Sequence, residues 1–274
     1  MGETMAEPEE PPSSVRDPVR PSRRVEMIAV PGLPDFAPGD DLAAAILAGI
    51  AGAGLALNDG DVVVVAQKIV SKCENAYVDL ARLEPGASAL ELARTTGKDP
   101  RLVEAILQDT GEVLRARDGL MIVANRAGHV MANAGIDASN LPPEAAARVL
   151  RLPADPDGSA AALKTALERA TSKRLAVIVN DSWGRAWRNG TTGHAVGVAG
   201  MPALWDRRGE PDMYGRTLRV TQIGLADEIA AAASLVMGAA AERQPVVVVR
   251  GLALPAGDGR SSDLVREKSK DLFR

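Results

Sequence analysis

The 274 residues carry 32 Lys and Arg against 36 Asp and Glu, a formal charge of −4, with 46% hydrophobic and 25% charged residues. That composition is ordinary for a globular protein of one large domain or two modest ones, and its slight acidity gives no broad attraction to nucleic acid or an anionic membrane. Aromatic residues at 3% leave no base-stacking platform; with Cys73 the only cysteine and His129 and His194 the only histidines, a disulfide and a Cys/His zinc centre are both excluded, so any metal has to be hard and oxygen-bound.

Residues 1–24 are acidic, then basic, and rich in proline, with no apolar signal core, and Ala6 stands where myristoylation wants Ser or Thr. They read as a disordered tail ahead of a domain over 25–274. No apolar run approaches the ~20 residues of a membrane span, so the chain reads as cytoplasmic. A first strand is expected over 25–30, followed by the loop PGLPDFAPGDD (31–41). Asp40 or Asp41 then caps an alanine-rich helix over 42–53, weakened by Gly49 and Gly52. After an Asn58-Asp59-Gly60 turn, residues 62–65 form a buried strand. Gln67, Lys68, Ser71 and Lys72 lie at or beyond its end, where α/β sheets hold ligands. Lys68 and Lys72 are either a solvated i,i+4 pair or an anion site.

Two short helices fit 87–108, broken at Gly97 and Pro100, and another strand fits 120–125. Next, Asn133, Asp137, Ser139 and Asn140 are packed around Gly135, a set of oxygen donors suited to Mg²⁺ or Mn²⁺, although Ser139 or Asn140 is equally an ordinary N-cap. Ser159 is expected to cap a helix over 160–170. Residues 175–179 (LAVIV) are a buried strand that turns at Asn180, Asp181 and Ser182 into a loop carrying Trp183, Arg185, Trp187, Arg188 and Gly190. A carboxylate and a hydroxyl at a strand end, with two arginines beyond, present a metal ligand and anion clamps, or else a plain Asx turn with solvated arginines. The glycine-rich TTGHAVGVAG (191–200) has neither dinucleotide nor P-loop spacing. Further on come a polar loop over 205–214, a strand-like alternation over 217–223, a small-residue helix over 227–241 and a last buried strand over 246–249. Strands and helices alternate irregularly, which gives an α+β class with mixed sheets and packed helices, not a P-loop or Rossmann fold.

Five stretches in order resemble the coenzyme F420-0:L-glutamate ligases: GLPDFAPGDDL, AQKIVSK, NAGIDASN, NDSWGRAWRNG with GVAG behind it, and LADEIAAAASLVMG followed by PVVVVRG. The resemblance runs from about Met27 to Leu252. It implies a ligase of coenzyme F420 biosynthesis that joins L-glutamate by γ-linkage to F420-0 through an acyl phosphate. It further implies GTP as co-substrate and Mg²⁺ or Mn²⁺, often with a monovalent cation such as K⁺. By matching position, the implied metal ligands are Asp137, Asp181 and Ser182. The implied nucleotide contacts are Leu33, Pro34, Asp35, Phe36, Gln67, Lys68, Lys72 and Asn140, with Met237, Gly238, Ala239, Ala240, Ala241 and Glu242 a further nucleotide-proximal stretch.

Asp137 and Asp181, together with Arg185 and Arg188 as clamps on a substrate phosphate or carboxylate, make the expected catalytic set. Many relatives carry a metal-binding glutamine where this chain has Ala239. Either water fills that position, or a second metal binds more weakly, or Glu242 reaches in. The departure leaves two alternatives, a catalytically impaired nucleotide- and metal-binding homologue and a metal-dependent GTP phosphohydrolase. Relatives are homodimers, so the expected partners are the three small molecules and a second copy, with no nucleic acid and no membrane. The flavin-binding C-terminal domain fused to some actinobacterial relatives is not expected here.

Overall fold

In the computed structural model, which describes residues 24–139 and 147–272, the valine runs lie side by side in a five-stranded sheet. Its members are β1 (Glu26–Ala29), β2 (Val62–Ala66) and three strands from the second half of the chain, Ala176–Arg185, Arg188–Ala199 and Val246–Arg250. Between β1 and β2 runs α1 (Leu42–Gly52), and β2 passes directly into α2 (Gln67–Cys73). A smaller body follows: β3 (Tyr77–Asp79), α3 (Ala87–Thr96), α4 (Pro100–Gln108), β4 (Thr110–Arg117), β5 (Leu120–Asn125), β6 (Val130–Ala132) and β7 (Arg148–Leu150). The chain then returns through α5 (Pro156–Thr171), β8 (Ala176–Arg185), β9 (Arg188–Ala199), β10 (Trp205–Asp206), β11 (Gln222–Ile223), α6 (Leu225–Met237) and β12 (Val246–Arg250).

The order across the large sheet is β1-β12-β2-β8-β9, and only the β2–β8 pair is parallel. Its strands are apolar on both faces because both are covered. Val63, Val65, Val177 and Val179 pack against Ile46 and Ile50 of α1 and Leu163 and Leu167 of α5. Val62, Val64 and Ile178 face Ala226, Ile229, Ala230 and Ala233 of α6. Each such valine, fully buried, contributes about 1.5–3 kcal/mol relative to exposure. The smaller body has its own core, in which Val103, Ile106, Met121 and Val123 are fully enclosed.

The α+β class holds, and several local readings are corrected. Residues 183–190 are not a loop: β8 runs on to Arg185 and returns as β9 from Arg188, with Trp187 at φ +63 in the tight turn. Across this hairpin Val179 pairs with Gly197 but Asn180 with Ala195, so Val196 is a bulge that changes which face β9 presents. The glycines of 191–200 serve packing. A Cβ on Gly193 would lie 2.5 Å from the Ala230 carbonyl in α6, and one on Gly197 would lie 2.2 Å from the Pro156 carbonyl in α5. Gly49, expected to weaken α1, is where that helix meets Val30, whose Cγ1 would be 2.8 Å from an added Cβ.

Helix α5 begins at Pro156 and is capped by Asp155, which accepts from the Gly158 amide at 3.0 Å, while Ser159 donates to Glu74 instead. Helix α6 stops at Met237, because Gly238 (φ +74) turns the chain out, so residues 239–241 are exposed coil. Of the alternation over 217–223 only Gln222–Ile223 is a strand. The tail expected over 1–24 lies, up to residue 23, outside the described residues, as does Asn140. No helix among the described residues is long and apolar enough to cross a membrane.

Candidate functional site

Parallel pairing decides where the polar residues meet. Ala66, the last residue of β2, lies opposite Asn180 of β8, so Gln67 and Lys68 leave the sheet at the level where β8 reaches Asp181. This is the carboxyl end of two parallel strands, where the backbone diverges and leaves room for a ligand. Asp137 arrives from the smaller body through a tight turn in which Asn133, Ala134 and Gly135 all have positive φ. Its backbone is clamped to Leu150 by two hydrogen bonds of 3.0 and 2.8 Å. Gly135 is required there: its φ is +78, and a Cβ would come within 2.8 Å of Leu152.

The Lys68 ammonium joins the two bodies. Its Nζ lies 2.7 Å from Asp137 Oδ2 and donates to Ser139 Oγ at 2.6 Å, while the Ser139 amide donates to Asp137 Oδ1 at 2.6 Å. Burial alone would push the Asp137 carboxyl up, but these bonds outweigh it and hold the group below the usual carboxylate range. Asp181 behaves oppositely. Burial pushes its carboxyl up to about 6 and the nearby Asp137 charge adds to the rise, against the Ser182 amide, Lys68 and a bond from Gln67. Gln67 is itself buried and fixed by the Ser71 hydroxyl, which donates to Oε1 at 2.9 Å. Ser139, expected either as an oxygen donor or as an N-cap, and Gln67 are therefore parts of the cluster.

The other expected residues are placed less uniformly. Lys72, one turn beyond Lys68, has its ammonium pushed down by burial, with Asp35 pulling it up. Asp35 is also paired with Arg243, Nη2 to Oδ1 at 2.7 Å, so Lys68, Lys72 and Arg243 line one side of the loop over 33–36. Arg243 was not singled out in the sequence, since nothing local distinguishes it. In that loop Pro34 and Asp35 are exposed, whereas Leu33 and Phe36 are core side chains, leaving only their backbone to a ligand. Asn180 faces α6, donating to Ser234 Oγ at 3.1 Å. Ser182 follows by alternation on that same face, away from Asp181, so two neighbours in sequence stand on opposite sides of the sheet. Arg185 lies four residues beyond Asp181, about 13 Å along the strand, and Arg188 pairs with it at the hairpin end. Neither arginine is brought to the carboxylates. Glu242 turns back on its own loop, accepting from the Ala240 amide at 2.7 Å, and does not reach Asp137 and Asp181.

A family model described as F420-0:Gamma-glutamyl ligase matches residues 32–251. The chain belongs to the F420-0:gamma-glutamyl ligase family. Among its relatives, the coenzyme F420:L-glutamate ligase of Methanothermobacter thermautotrophicus is 46% identical over 254 residues, covering 91% of this chain and 99% of the relative. Those of Methanopyrus kandleri and Methanocaldococcus jannaschii are 42% and 40% identical, each covering 93% of this chain and 98% and 99% of their own length.

The ligase-family span encloses every expected site residue, from Leu33 to Glu242. Among the described residues no three His, Cys, Asp or Glu side chains gather into a ready-made metal cage. The donors that do converge, the Asp137 and Asp181 carboxylates with the Ser139 hydroxyl near them, are all hard oxygens. The Asp137 charge raises the proton affinity of Asp181, a repulsion that a divalent cation such as Mg²⁺ or Mn²⁺ relieves. The donor set fits such an ion. Ala239 offers no side-chain oxygen, and the Glu242 carboxylate is engaged by the Ala240 amide.

Proposed function

We propose that this chain adds L-glutamate, through γ-linkage, to coenzyme F420-0, with GTP as co-substrate and Mg²⁺ or Mn²⁺ at the carboxylates, and that it does so as a homodimer. The observation that carries the reading is the meeting of Asp137, Asp181 and Lys68 at the carboxyl ends of two parallel strands. Amide formation from a carboxylate and an amine is uphill in water, so the acceptor carboxylate is first activated. Its oxygen bonds to the γ-phosphorus of GTP and GDP leaves. The glutamate α-amine then bonds to the acyl carbon, phosphate leaves, and the amine proton passes to solvent.

The chain's part in this is position and charge. Lys68 and Lys72, with Arg243 beside them, neutralise phosphate oxygens. Asp137 and Asp181 would hold the divalent ion, which when bound neutralises charge on the transferring phosphoryl group. Gln67 fixes the orientation of Asp181. Asn140, the backbone of the loop over 33–36 and the segment over 237–242 border the nucleotide. Arg185 and Arg188, at the hairpin end, take the phosphate of the acceptor.

Mass spectrometry with F420-0, GTP, Mn²⁺ and L-glutamate tests the reading. Mass gains in whole glutamyl units, absent from Asp181→Asn, support it. One observation favours an impaired homologue instead, the missing oxygen at Ala239, and the outcome for that case is a GTP-induced rise in melting temperature without any mass gain. Release of GDP that does not depend on glutamate marks a phosphohydrolase.

A further inference from the structure

His129 is 7% exposed, yet neither ring nitrogen has a hydrogen-bond partner. A buried imidazole with two orphaned nitrogens is costly unless something else supplies the bonds. The His129 side chain is one wall of a pocket of about 240 Å³, lined also by Trp183, His194, Asp227, Arg266 and Asp271. Trp183 and His194 stack with ring centroids 4.0 Å apart and form one wall. His194 Nδ1 is engaged by the Thr192 carbonyl at 2.8 Å, so its Nε2 is the atom left to the pocket. Asp227 uses Oδ1 to accept from the Ala195 amide at 2.9 Å and keeps Oδ2. The guanidinium of Arg266 stands exposed at the mouth.

This pocket adjoins the carboxylate site through shared strands. His194 is the direct cross-strand partner of Asp181, a pairing that holds Cβ atoms about 5 Å apart on one face. Trp183 is two residues on from Asp181 on that face, and His129 leads through β6 into the turn that delivers Asp137. The lining offers charges of both signs, and its volume is below the ~300 Å³ at which drug-sized sites begin. Those features select a small zwitterion rather than a polycyclic ring.

Resting on the ligase reading above, we propose that this pocket is the subsite for the incoming L-glutamate, with His129 and Arg266 as specificity-determining contacts. A neutral imidazole has one N–H donor and one acceptor, so His129 can meet either pole of an amino acid, a carboxylate oxygen at its N–H or the ammonium at its bare nitrogen. Burial pushes its proton affinity below the ordinary imidazole range, against Asp157 and Asp227, which keeps both roles available at neutral pH. Asp227 Oδ2 offers a second acceptor for the ammonium, and Arg266 donates to a carboxylate.

The test is the KM for L-glutamate, measured beside those for GTP and F420-0, in His129→Leu and Arg266→Ala, with melting temperature as the folding control. Because the His129 ring nitrogens bond to nothing in the protein and its two hydrogen bonds to Asn125 run through the backbone, Leu at that position keeps the fold. A ≥10-fold rise in glutamate KM in both variants, with KM for GTP unchanged, is expected. Unchanged glutamate KM in folded variants overturns the proposal. Calorimetric titration of the wild type and His129→Leu with L-glutamate, and with D-glutamate as control, separates this idea from the ligase reading. Binding of the L-form that is lost in His129→Leu supports the subsite even if the wild type transfers no glutamate. A wild type that neither transfers nor binds glutamate overturns both.

Discussion

Lys68 Nζ and Asp137 Oδ2 meet at 2.7 Å although 69 positions separate them in sequence, and this contact ties the first turn of α2 to the smaller body. The same ammonium that holds the two bodies in register is the cation nearest the two carboxylates. Architecture and chemistry thus share one side chain.

Lys68→Met separates the two roles. It removes a cation from the phosphoryl path, and kcat is expected to fall about 10²-fold or more. Its stability cost at pH 7 is no more than about 1 kcal/mol, since both partners are about a quarter to a third exposed. Asp137 is held below its ordinary 3.8, so the pair's contribution is present above about pH 4 and is lost as pH falls through the folded value. Urea melts of wild type and variant should differ at pH 7 and converge as the pH falls below 3.8 and through the lower folded value of Asp137.

Asp181→Asn should make the metal-free protein more stable while abolishing activity. A carboxyl whose folded value is about 6 against an ordinary 3.8 contributes stability that is full below pH 4 and is lost as pH rises to about 6. The advantage of Asn therefore opens between those values and levels off at about 2 kcal/mol, allowing for partial exposure of the group. Thermal melts at pH 4, 5.5 and 7.5 read it directly. Added Mn²⁺ should raise the wild-type melting temperature at pH 7.5 and leave the variant unmoved.

The residues that were legible beforehand are those whose surroundings are uniform. Residues 62–65, 175–179 and 246–249 read as buried strands because both faces of the sheet are covered and no polar position interrupts them. Asp137 and Asp181 read as oxygen donors by type. The β8–β9 hairpin was hidden because Asn180, Asp181, Ser182 and Gly184 carry turn chemistry, which cross-strand pairing overrode. The end of α6 was hidden by Ala239–Ala241, good helix formers that follow a Gly238 already turned outward. The separation of Asp181 from Ser182, and the gathering of His129 with His194, are set by strand pleat and pairing. A list of residues in order does not contain them.

Gly197→Ala tests that pleat. Its Cβ would meet the Pro156 carbonyl at 2.2 Å, a backbone atom at the start of α5 that has no rotamer to escape into. A loss of about 2–3 kcal/mol is expected in urea unfolding. Gly184→Ala, on the same hairpin with nothing within 4 Å, should stay within about 0.5 kcal/mol of wild type.

Arg188→Ala distinguishes clamping from chemistry. At the hairpin end, beyond an Arg185 already about 13 Å from Asp181 along β8, its guanidinium is too distant to touch the acyl centre of the same protomer. It can still hold a remote phosphate on the acceptor, and such binding is felt equally in the ground and transition states. KM for F420-0 should therefore rise several-fold while kcat and KM for GTP stay near wild type. A fall in kcat with KM unchanged would move Arg188 into the chemical step. In the homodimer proposed above that would require the hairpin of one protomer to reach the carboxylates of its partner, so mixed dimers of Arg188→Ala with Asp181→Asn should then recover activity at one of their two sites.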